Sequence, residues 1–190
     1  MPKLYLARHG QTAYNLERRF QGHLPVPLDE VGRAQAKELA GRAAGHGFAA
    51  LWCSPLLRAR ETADAVAARL GLQPREDARL METDAGDWTD MSFVEVRAQA
   101  PEHFDAFAAA DPDFAFPGGE SFAQQDIRVA AALLDIEASE LPALVVCHGM
   151  VIRAAFASRA PSGEDADVEL EHRFERVPNA ALVPLQQSRD

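Results

Sequence analysis

The strongest constraint on the fold is a pair of apolar segments that each end in His-Gly. Leu4–Ala7 leads into Arg8-His9-Gly10, and Leu144–Cys147 leads into His148-Gly149. Short apolar runs that end at a turn residue are typical of strands buried on both faces, as in parallel sheets. The carboxyl ends of such strands form the ligand crevice of the sheet. We therefore expect both imidazoles to lie in one crevice, where glycine lets the backbone turn sharply.

The rest of the chain alternates between strand and helix patterns. The predicted strands are Ala49–Cys53, Gln73–Met81, Leu141–Cys147 and an edge region, Arg173–Leu185, and the predicted helices are Asp29–Ala44, Ser54–Leu70, Ser121–Glu137 and Met150–Arg159. Loops are predicted over Gln11–Pro27 and over the acidic stretch Pro161–Glu171. This alternation predicts an α/β fold, a three-layer α/β/α sandwich with a mostly parallel central sheet and helices on both faces. The length of the chain favours a single domain over residues 1–190.

Composition limits the partners. The formal net charge is −10, which argues against nucleic acid and anionic membranes, because both need a broad basic face. No apolar run approaches the roughly 20 residues that span a bilayer, and no basic leader precedes the first strand, so we expect a cytoplasmic protein. Cys53 and Cys147 lie in apolar runs without CxxC spacing and are interpreted as reduced core residues. A small anionic substrate remains compatible with the acidic chain.

Arg58 is the third feature that indicates chemistry. It lies in the first turn predicted for its helix, where the helix dipole disfavours a cation. A bound anion would remove this conflict, since helix N-termini bind phosphate and a guanidinium contacts its oxygens in pairs. A surface arginine paired with Glu61 or Glu30 is the alternative. That alternative loses weight because Arg8 presents the same chemistry at another strand end.

These residues predict phosphoryl chemistry without a metal or cofactor. Two arginines beside two histidines disfavour a divalent cation, and no HExxH or similar ligand spacing is present. A neutral histidine can attack phosphorus, while arginines and a protonated histidine take up charge on the phosphoryl oxygens. The leaving group then needs a proton donor. Glu82, Asp84 and Asp87 follow the third predicted strand as candidates, and their spacing does not choose among them.

Together these segments resemble the histidine phosphatase superfamily, in its phosphoglycerate mutase-like branch. The resemblance covers nearly the whole chain. Its motifs are Arg8-His9-Gly10-Gln11-Thr12 followed by Asn15, then Phe20-Gln21-Gly22, the block Cys53–Ala63, Gly118-Gly119-Glu120-Ser121, and Val146–Arg153.

The resemblance implies a role for each matching position. His9 would be the nucleophile that is transiently phosphorylated, and Glu82 the proton donor that later activates water. Arg8, Arg58 and His148 would form the phosphate pocket. Further substrate or phosphate contacts would come from Asn15, Gln21, Gly22 and Gly149. Two positions depart from the family pattern, Thr89-Asp90 after the tryptophan and Met150 after the second His-Gly, and both could alter the pocket wall.

The favoured function is hydrolysis of a small phosphomonoester. A phosphoglycerate mutase is the nearest alternative, although the cofactor-dependent mutases of the family are typically longer than this chain. A phosphate-binding or interaction protein that has lost turnover is the other alternative. A homodimer is left open. Phe104, Phe107, Phe114 and Phe116 are interpreted as core residues, with a lid over the pocket as the less favoured reading.

Overall fold

A central sheet of five strands organises the protein. A computed structural model describes residues 3–159 and 177–185. The strands are β1 (Leu4–Arg8), β2 (Ala50–Cys53), β3 (Pro74–Glu76), β4 (Ala143–Cys147) and β5 (Leu182–Leu185). Their order across the sheet is β3-β2-β4-β1-β5, and only the β1–β5 pairing is antiparallel. The mostly parallel sheet is confirmed. β1 and β4 are neighbours in register, with Arg8 opposite Cys147, so their two His-Gly ends emerge side by side.

Helices cover both faces of this sheet. The helices are α1 (Ala13–Glu17), α2 (Glu30–Ala43), α3 (Leu57–Leu70), α4 (Phe93–Gln99), α5 (Pro101–Ala108), α6 (Phe122–Glu137) and α7 (Gly149–Ala157). Alternate side chains of β4 point to opposite faces: Val145 packs with α6 and α7, whereas Val146 packs with α2 and α3. The α/β/α layering therefore follows from central strands such as β4, which is apolar at every position and buried on both faces.

Three sequence interpretations need correction. The segment Gln11–Pro27 contains the short helix α1, because Thr12 and Asn15 form a capping box. The helix predicted from Ser54 begins at Leu57 and has no side-chain cap. The strand predicted over Gln73–Met81 is limited to β3 and is followed by a 3-10 turn, Ala78–Leu80. The acidic stretch Pro161–Glu171 and the first part of the predicted edge region lie outside the described residues.

An aromatic cluster packs beside the sheet. Phe114 and Phe116 are almost fully buried, and Phe104 and Phe107 pack around them. Their rings also contact Trp88, from the turn that follows Glu82. The preferred reading of these phenylalanines as core is confirmed. They anchor the turn that carries Glu82 rather than forming a loose cover.

Both cysteines are free and buried, as interpreted from the sequence. Within the part of the chain that the structure describes, no helix has the length and apolar character needed to cross a membrane.

Candidate active site

His9 lies at the carboxyl end of β1 with its ring orientation fixed. Its Nδ1 is 2.7 Å from the carbonyl oxygen of Gly10. A carbonyl only accepts, so Nδ1 carries the proton and Nε2 keeps its lone pair. The side chain is 2% exposed. The sequence Arg-His-Gly therefore presents a buried imidazole with one nitrogen available as a nucleophile.

Gly10 is required by the close approach of two backbone segments. A Cβ at Gly10 would lie 2.4 Å from the carbonyl oxygen of Gly32 in α2, and a Cβ at Gly32 would lie 2.0 Å from that of Gln11. The Gly10 N–H donates to the hydroxyl of Thr62, at 3.1 Å, and that hydroxyl donates to the Arg58 carbonyl. Helices α2 and α3 thus fix the turn that follows His9.

His148 lies beside His9 at the end of β4. The two ring centroids are 5.2 Å apart, and His148 is fully buried. Its Nε2 lies 2.7 Å from the hydroxyl oxygen of Ser54, at the end of β2. Its Nδ1 is buried without a hydrogen-bond partner in the described chain. The expected convergence of the two imidazoles is thus seen in the structure.

Arg58 reaches inward beneath the loop that follows α1. Its guanidinium donates to the carbonyl oxygens of Gly22, at 2.9 Å, and Leu24, at 3.2 Å. The residue is only 1% exposed, and its Nε has no partner among the described residues. Gly22 therefore holds the arginine through its backbone. Among the described residues no carboxylate forms an ion pair with Arg58, and its burial excludes the alternative of a surface pair with Glu61 or Glu30.

Arg8 is the second arginine beside the two histidines. It donates to the carbonyl oxygen of Val177, at 2.7 Å. A Cβ at Gly149 would lie 3.7 Å from its Nε, which is ordinary contact distance, so the start of α7 packs against this guanidinium. Arg8 and Arg58 both act on the pKa of both histidines. The four residues therefore form one cationic cluster.

Burial and these charges keep both histidines neutral. Desolvation lowers the pKa of His9 well below its usual range, and the positive charges of Arg58 and Arg8 lower it further. The pKa of His148 is lowered by burial first and then by Arg58, His9 and Arg8. Burial also lowers the pKa of Arg58 to about 10, with Arg8 acting in the same direction. The sequence predicts a protonated histidine in the pocket, whereas these lowered pKa values favour the neutral form of both imidazoles.

Acid is therefore expected to destabilise the ligand-free protein. Below the unfolded pKa of about 6.5, the unfolded chain binds protons at His9 and His148 that the folded chain does not. Above that pH the two histidines contribute fully to the free energy of unfolding. As the pH falls toward their lowered pKa values in the folded protein, this contribution decreases by on the order of 1 kcal/mol per histidine per pH unit. Urea unfolding at pH 7.5, 6.5 and 5.5 measures this slope. The variant His9→Asn/His148→Asn should show a shallower slope; an equal slope would contradict the assignment.

Glu82 lies in a turn that is held through its backbone. Its carbonyl oxygen accepts from Arg128, at 3.3 Å, and from His23 Nε2, at 2.8 Å. Arg128 also forms an ion pair with Glu120, at 2.6 Å. The Glu82 carboxylate accepts from the Thr83 N–H, at 3.0 Å. Its negative charge raises the pKa of Arg58, so the carboxylate is close enough to interact with the cationic cluster.

The glycines of this region explain how the turn is built. Gly86 has φ of +49°, and a Cβ there would lie 2.2 Å from the carbonyl oxygen of Pro117. A Cβ at Gly119 would lie 2.4 Å from the Asp84 carbonyl. Two loops far apart in sequence thus cross at glycines, which sets the position of Glu82. The Asp84 carboxylate accepts from the Gly86 N–H at 3.0 Å and belongs to the turn itself.

Asn15 and Gln21 are joined through Thr12. The Asn15 amide oxygen accepts from the Thr12 N–H and from Asn179 Nδ2, at 3.1 and 3.2 Å, while the Thr12 hydroxyl donates to Gln21 Oε1, at 3.0 Å. The oxygens of both carboxamides are occupied by these donors. Their NH2 groups are therefore the ends that remain to contact an anion.

Sequence reasoning missed three residues of this arrangement, Ser54, Thr62 and Asn179. The sequence predicts only that Ser54 begins a helix. Asn179 donates to the His9 carbonyl oxygen at 3.0 Å, 170 residues away along the chain, and nothing in the local pattern signals that contact. Polar residues directly after a buried strand, as Ser54 is, were the one available signal.

No metal site accompanies the histidines in the described part of the chain. Across residues 3–159 and 177–185, no three His, Cys, Asp or Glu side chains lie together in a way that could hold a metal ion.

The chain folds as an α/β/α sandwich, with two histidines and two arginines at the carboxyl edge of its sheet. The family is shown by sequence. The family model of the histidine phosphatase superfamily (branch 1) matches residues 4–188, and the chain belongs to this superfamily.

Similar proteins include phosphatases and mutase-like proteins. The chain is 35% identical to phosphoglycerate mutase-like protein 4 of Arabidopsis thaliana, over 87% of this chain and 74% of that protein. It is also 35% identical to glucosyl-3-phosphoglycerate phosphatase of Mycobacterium tuberculosis, over 82% of this chain and 74% of the relative. A solved structure of the mycobacterial glucosyl-3-phosphoglycerate phosphatase with VO3 has a TM-score of 0.85 at 31% identity, over 96% and 91% of the two chains.

Proposed function

We propose that this chain is a metal-independent phosphomonoesterase that hydrolyses a small phosphorylated metabolite through a phosphohistidine at His9. The observation that carries the proposal is the pair of buried imidazoles, 5.2 Å apart and kept neutral by burial and by two neighbouring arginines. A phosphate dianion would interact favourably with Arg58, which is buried and bonded to two neutral carbonyl oxygens, and with the Nδ1 of His148, which has no partner among the described residues. Relatives that are named as phosphatases support the same activity.

In the first step, His9 Nε2 attacks phosphorus and the ester P–O bond breaks. Its lone pair is available because Nδ1 donates to the Gly10 carbonyl. Arg8, Arg58 and His148 stabilise the charge on the phosphoryl oxygens. Glu82 gives its proton to the leaving alkoxide, so the alcohol departs neutral.

In the second step, the Glu82 carboxylate takes a proton from water as the water oxygen attacks phosphorus. The P–N bond breaks, the electron pair returns to His9 Nε2, and inorganic phosphate leaves. Glu82 is again protonated and His9 neutral, so the cycle closes without a metal or cofactor. Each proton is thereby accounted for.

Phosphoglycerate mutase activity is the second candidate, because several relatives are named phosphoglycerate mutase-like or probable phosphoglycerate mutase. Both reactions share the phosphohistidine. They differ in whether water or a bound sugar acid accepts the phosphoryl group.

A panel of phosphorylated sugars, phosphoserine, 3-phosphoglycerate and an aryl phosphate should distinguish the two. We expect inorganic phosphate release from at least one metabolite, with mutase turnover in the same samples lower. Because no step uses a metal, activity should survive EDTA. Complete loss with EDTA that added metal restores would overturn the mechanism, and mutase turnover exceeding phosphate release would favour the second candidate.

The remaining expectations are part of this proposal. They are a single domain over residues 1–190, a cytoplasmic location, a small-molecule partner rather than nucleic acid or membrane, and either a monomer or a homodimer. Gel filtration with light scattering would measure the oligomeric state.

A further inference from the structure

Ser54 is a buried hydroxyl with two partners in the described chain. It follows β2 directly and is fully buried. Its Oγ accepts from the Leu56 N–H, at 3.2 Å, and lies 2.7 Å from His148 Nε2. A hydroxyl has one proton to donate and two lone pairs to accept with. The Leu56 N–H uses a lone pair, so the Ser54 proton needs an acceptor elsewhere.

His148 Nε2 is the acceptor that the described residues offer. If Nε2 carried the ring proton instead, it would donate to Ser54 and leave the buried hydroxyl proton without an acceptor. Leaving a buried donor unpaired is costly. The other nitrogen, Nδ1, would then present a lone pair where an anion is expected. With the proton on Nδ1, the Ser54 hydroxyl is paired, and the one donor left without a partner among the described residues is the Nδ1–H, which a phosphoryl oxygen could accept from.

We propose that Ser54 is a positioning residue that holds His148 as the Nδ1–H tautomer, so that a neutral imidazole donates from Nδ1 to a phosphoryl oxygen. The part that concerns the phosphoryl group rests on the proposed function. Nδ1 is buried and has no protein partner in the described chain, as a donor kept for a ligand would be. Burial lowers the pKa of His148, which agrees with a neutral imidazole as the hydrogen-bond donor.

The two histidines then share one tautomer for opposite purposes. A backbone carbonyl fixes the proton of His9 on Nδ1 and leaves Nε2 as nucleophile. A side-chain hydroxyl fixes the proton of His148 on Nδ1, and it is that proton which is used. Because His9 depends on backbone and His148 on a side chain, a substitution at Ser54 should affect only His148.

The test reads the tautomer directly. In ¹⁵N NMR of the ligand-free parent at pH 7.5, His148 should show a protonated Nδ1 and an unprotonated Nε2. Ser54→Ala should shift His148 toward the Nε2–H form and leave His9 unchanged. Ser54→Thr, which keeps the hydroxyl, should restore the parent pattern. A parent His148 with its proton on Nε2, or a pattern that Ser54→Ala leaves unchanged, would overturn the proposal.

Kinetics provide the second readout. Ser54→Ala should weaken vanadate binding and lower kcat/KM for an aryl phosphate by about tenfold each, because a donor to the transition state becomes misoriented. Ser139→Ala, whose hydroxyl bonds only the Ile136 carbonyl among the described residues, controls for loss of a serine. Should Ser54→Ala fail to fold, Ser54→Cys, whose thiol is a weaker donor, takes its place.

The two proposals fail in different ways. A protein that hydrolyses no phosphomonoester but shows the Ser54-dependent tautomer would overturn the function alone. An active phosphatase in which His148 keeps its tautomer without Ser54 would overturn the positioning role alone.

Discussion

The variant His9→Ala is expected to lose essentially all hydrolysis of an aryl phosphate, with kcat/KM reduced on the order of 10⁵-fold or more. The reason is covalent. In our proposal, His148 carries its proton on Nδ1, and its Nε2 accepts from Ser54. Among the described side chains, His9 is then the one that offers a free lone pair on a ring nitrogen beside Arg8 and Arg58. Loss of the nucleophile should therefore remove the phosphoenzyme and not merely slow its formation.

The same variant should still bind phosphate and vanadate. Arg8, Arg58 and His148 remain, and removing the imidazole takes away no charge because His9 is neutral in the free site. Isothermal titration with each anion measures this. His46→Ala, which removes an exposed histidine stacked on Phe48, should keep parent activity and serves as the control.

Trapping the intermediate gives an independent result. Rapid quenching of the parent at alkaline pH should recover an acid-labile phosphohistidine, and His9→Ala should give none. Turnover of the variant at a parent-like rate, or a labelled phosphoenzyme in it, would reject His9 as the nucleophile.

Sequence reasoning found the residues whose position follows from local pattern. The two His-Gly ends lie side by side because β1 is apolar up to Ala7 and β4 is apolar throughout, as is typical of strands buried inside a parallel sheet. Asp29 caps α2 as predicted, since its carboxylate accepts from the Gly32 N–H at 2.7 Å. Both features can be predicted from a few consecutive residues of the sequence.

Contacts between distant segments could not be predicted in this way. Serine is a favoured residue at the start of a helix, yet the Ser54 hydroxyl is hydrogen-bonded to a histidine 94 residues away. Thr62 reaches Gly10 across 52 residues. Each hydroxyl also makes a local bond, Ser54 with the Leu56 N–H and Thr62 with the Arg58 carbonyl oxygen, so the local pattern gives no sign of the second, distant partner.

Arg58 shows how far a conflict in the sequence can be used. Its place in the first turn of α3 opposed the helix dipole, and this opposition indicated an anion. The structure adds that the side chain is buried and bonded to the carbonyl oxygens of Gly22 and Leu24. Neutral carbonyl partners leave its charge uncompensated at close range. The local rule was broken at a position that we assign to phosphate binding.

The effect of Glu82→Gln should depend on the leaving group. Glutamine keeps the size and the bond from the Thr83 N–H but has no proton to transfer. For an alkyl phosphate, whose alkoxide needs protonation, we expect kcat/KM to fall on the order of 10³-fold. A nitrophenolate leaves without that help, so its ester should lose only about tenfold. Measuring both esters with both proteins gives the ratio.

Asp84→Asn and Asp87→Asn are the matched controls, since spacing alone left all three carboxylates as candidates for the acid. Asp84 accepts from the Gly86 N–H within its own turn, and the Asp87 carboxylate lies against Gly118. Their substitution should reduce stability and affect both esters equally, because in our proposal neither carboxyl group protonates the leaving group. The acid is therefore identified by the ratio between esters and not by the loss on either one. A large ratio in Asp84→Asn with none in Glu82→Gln would move the proton donor to Asp84.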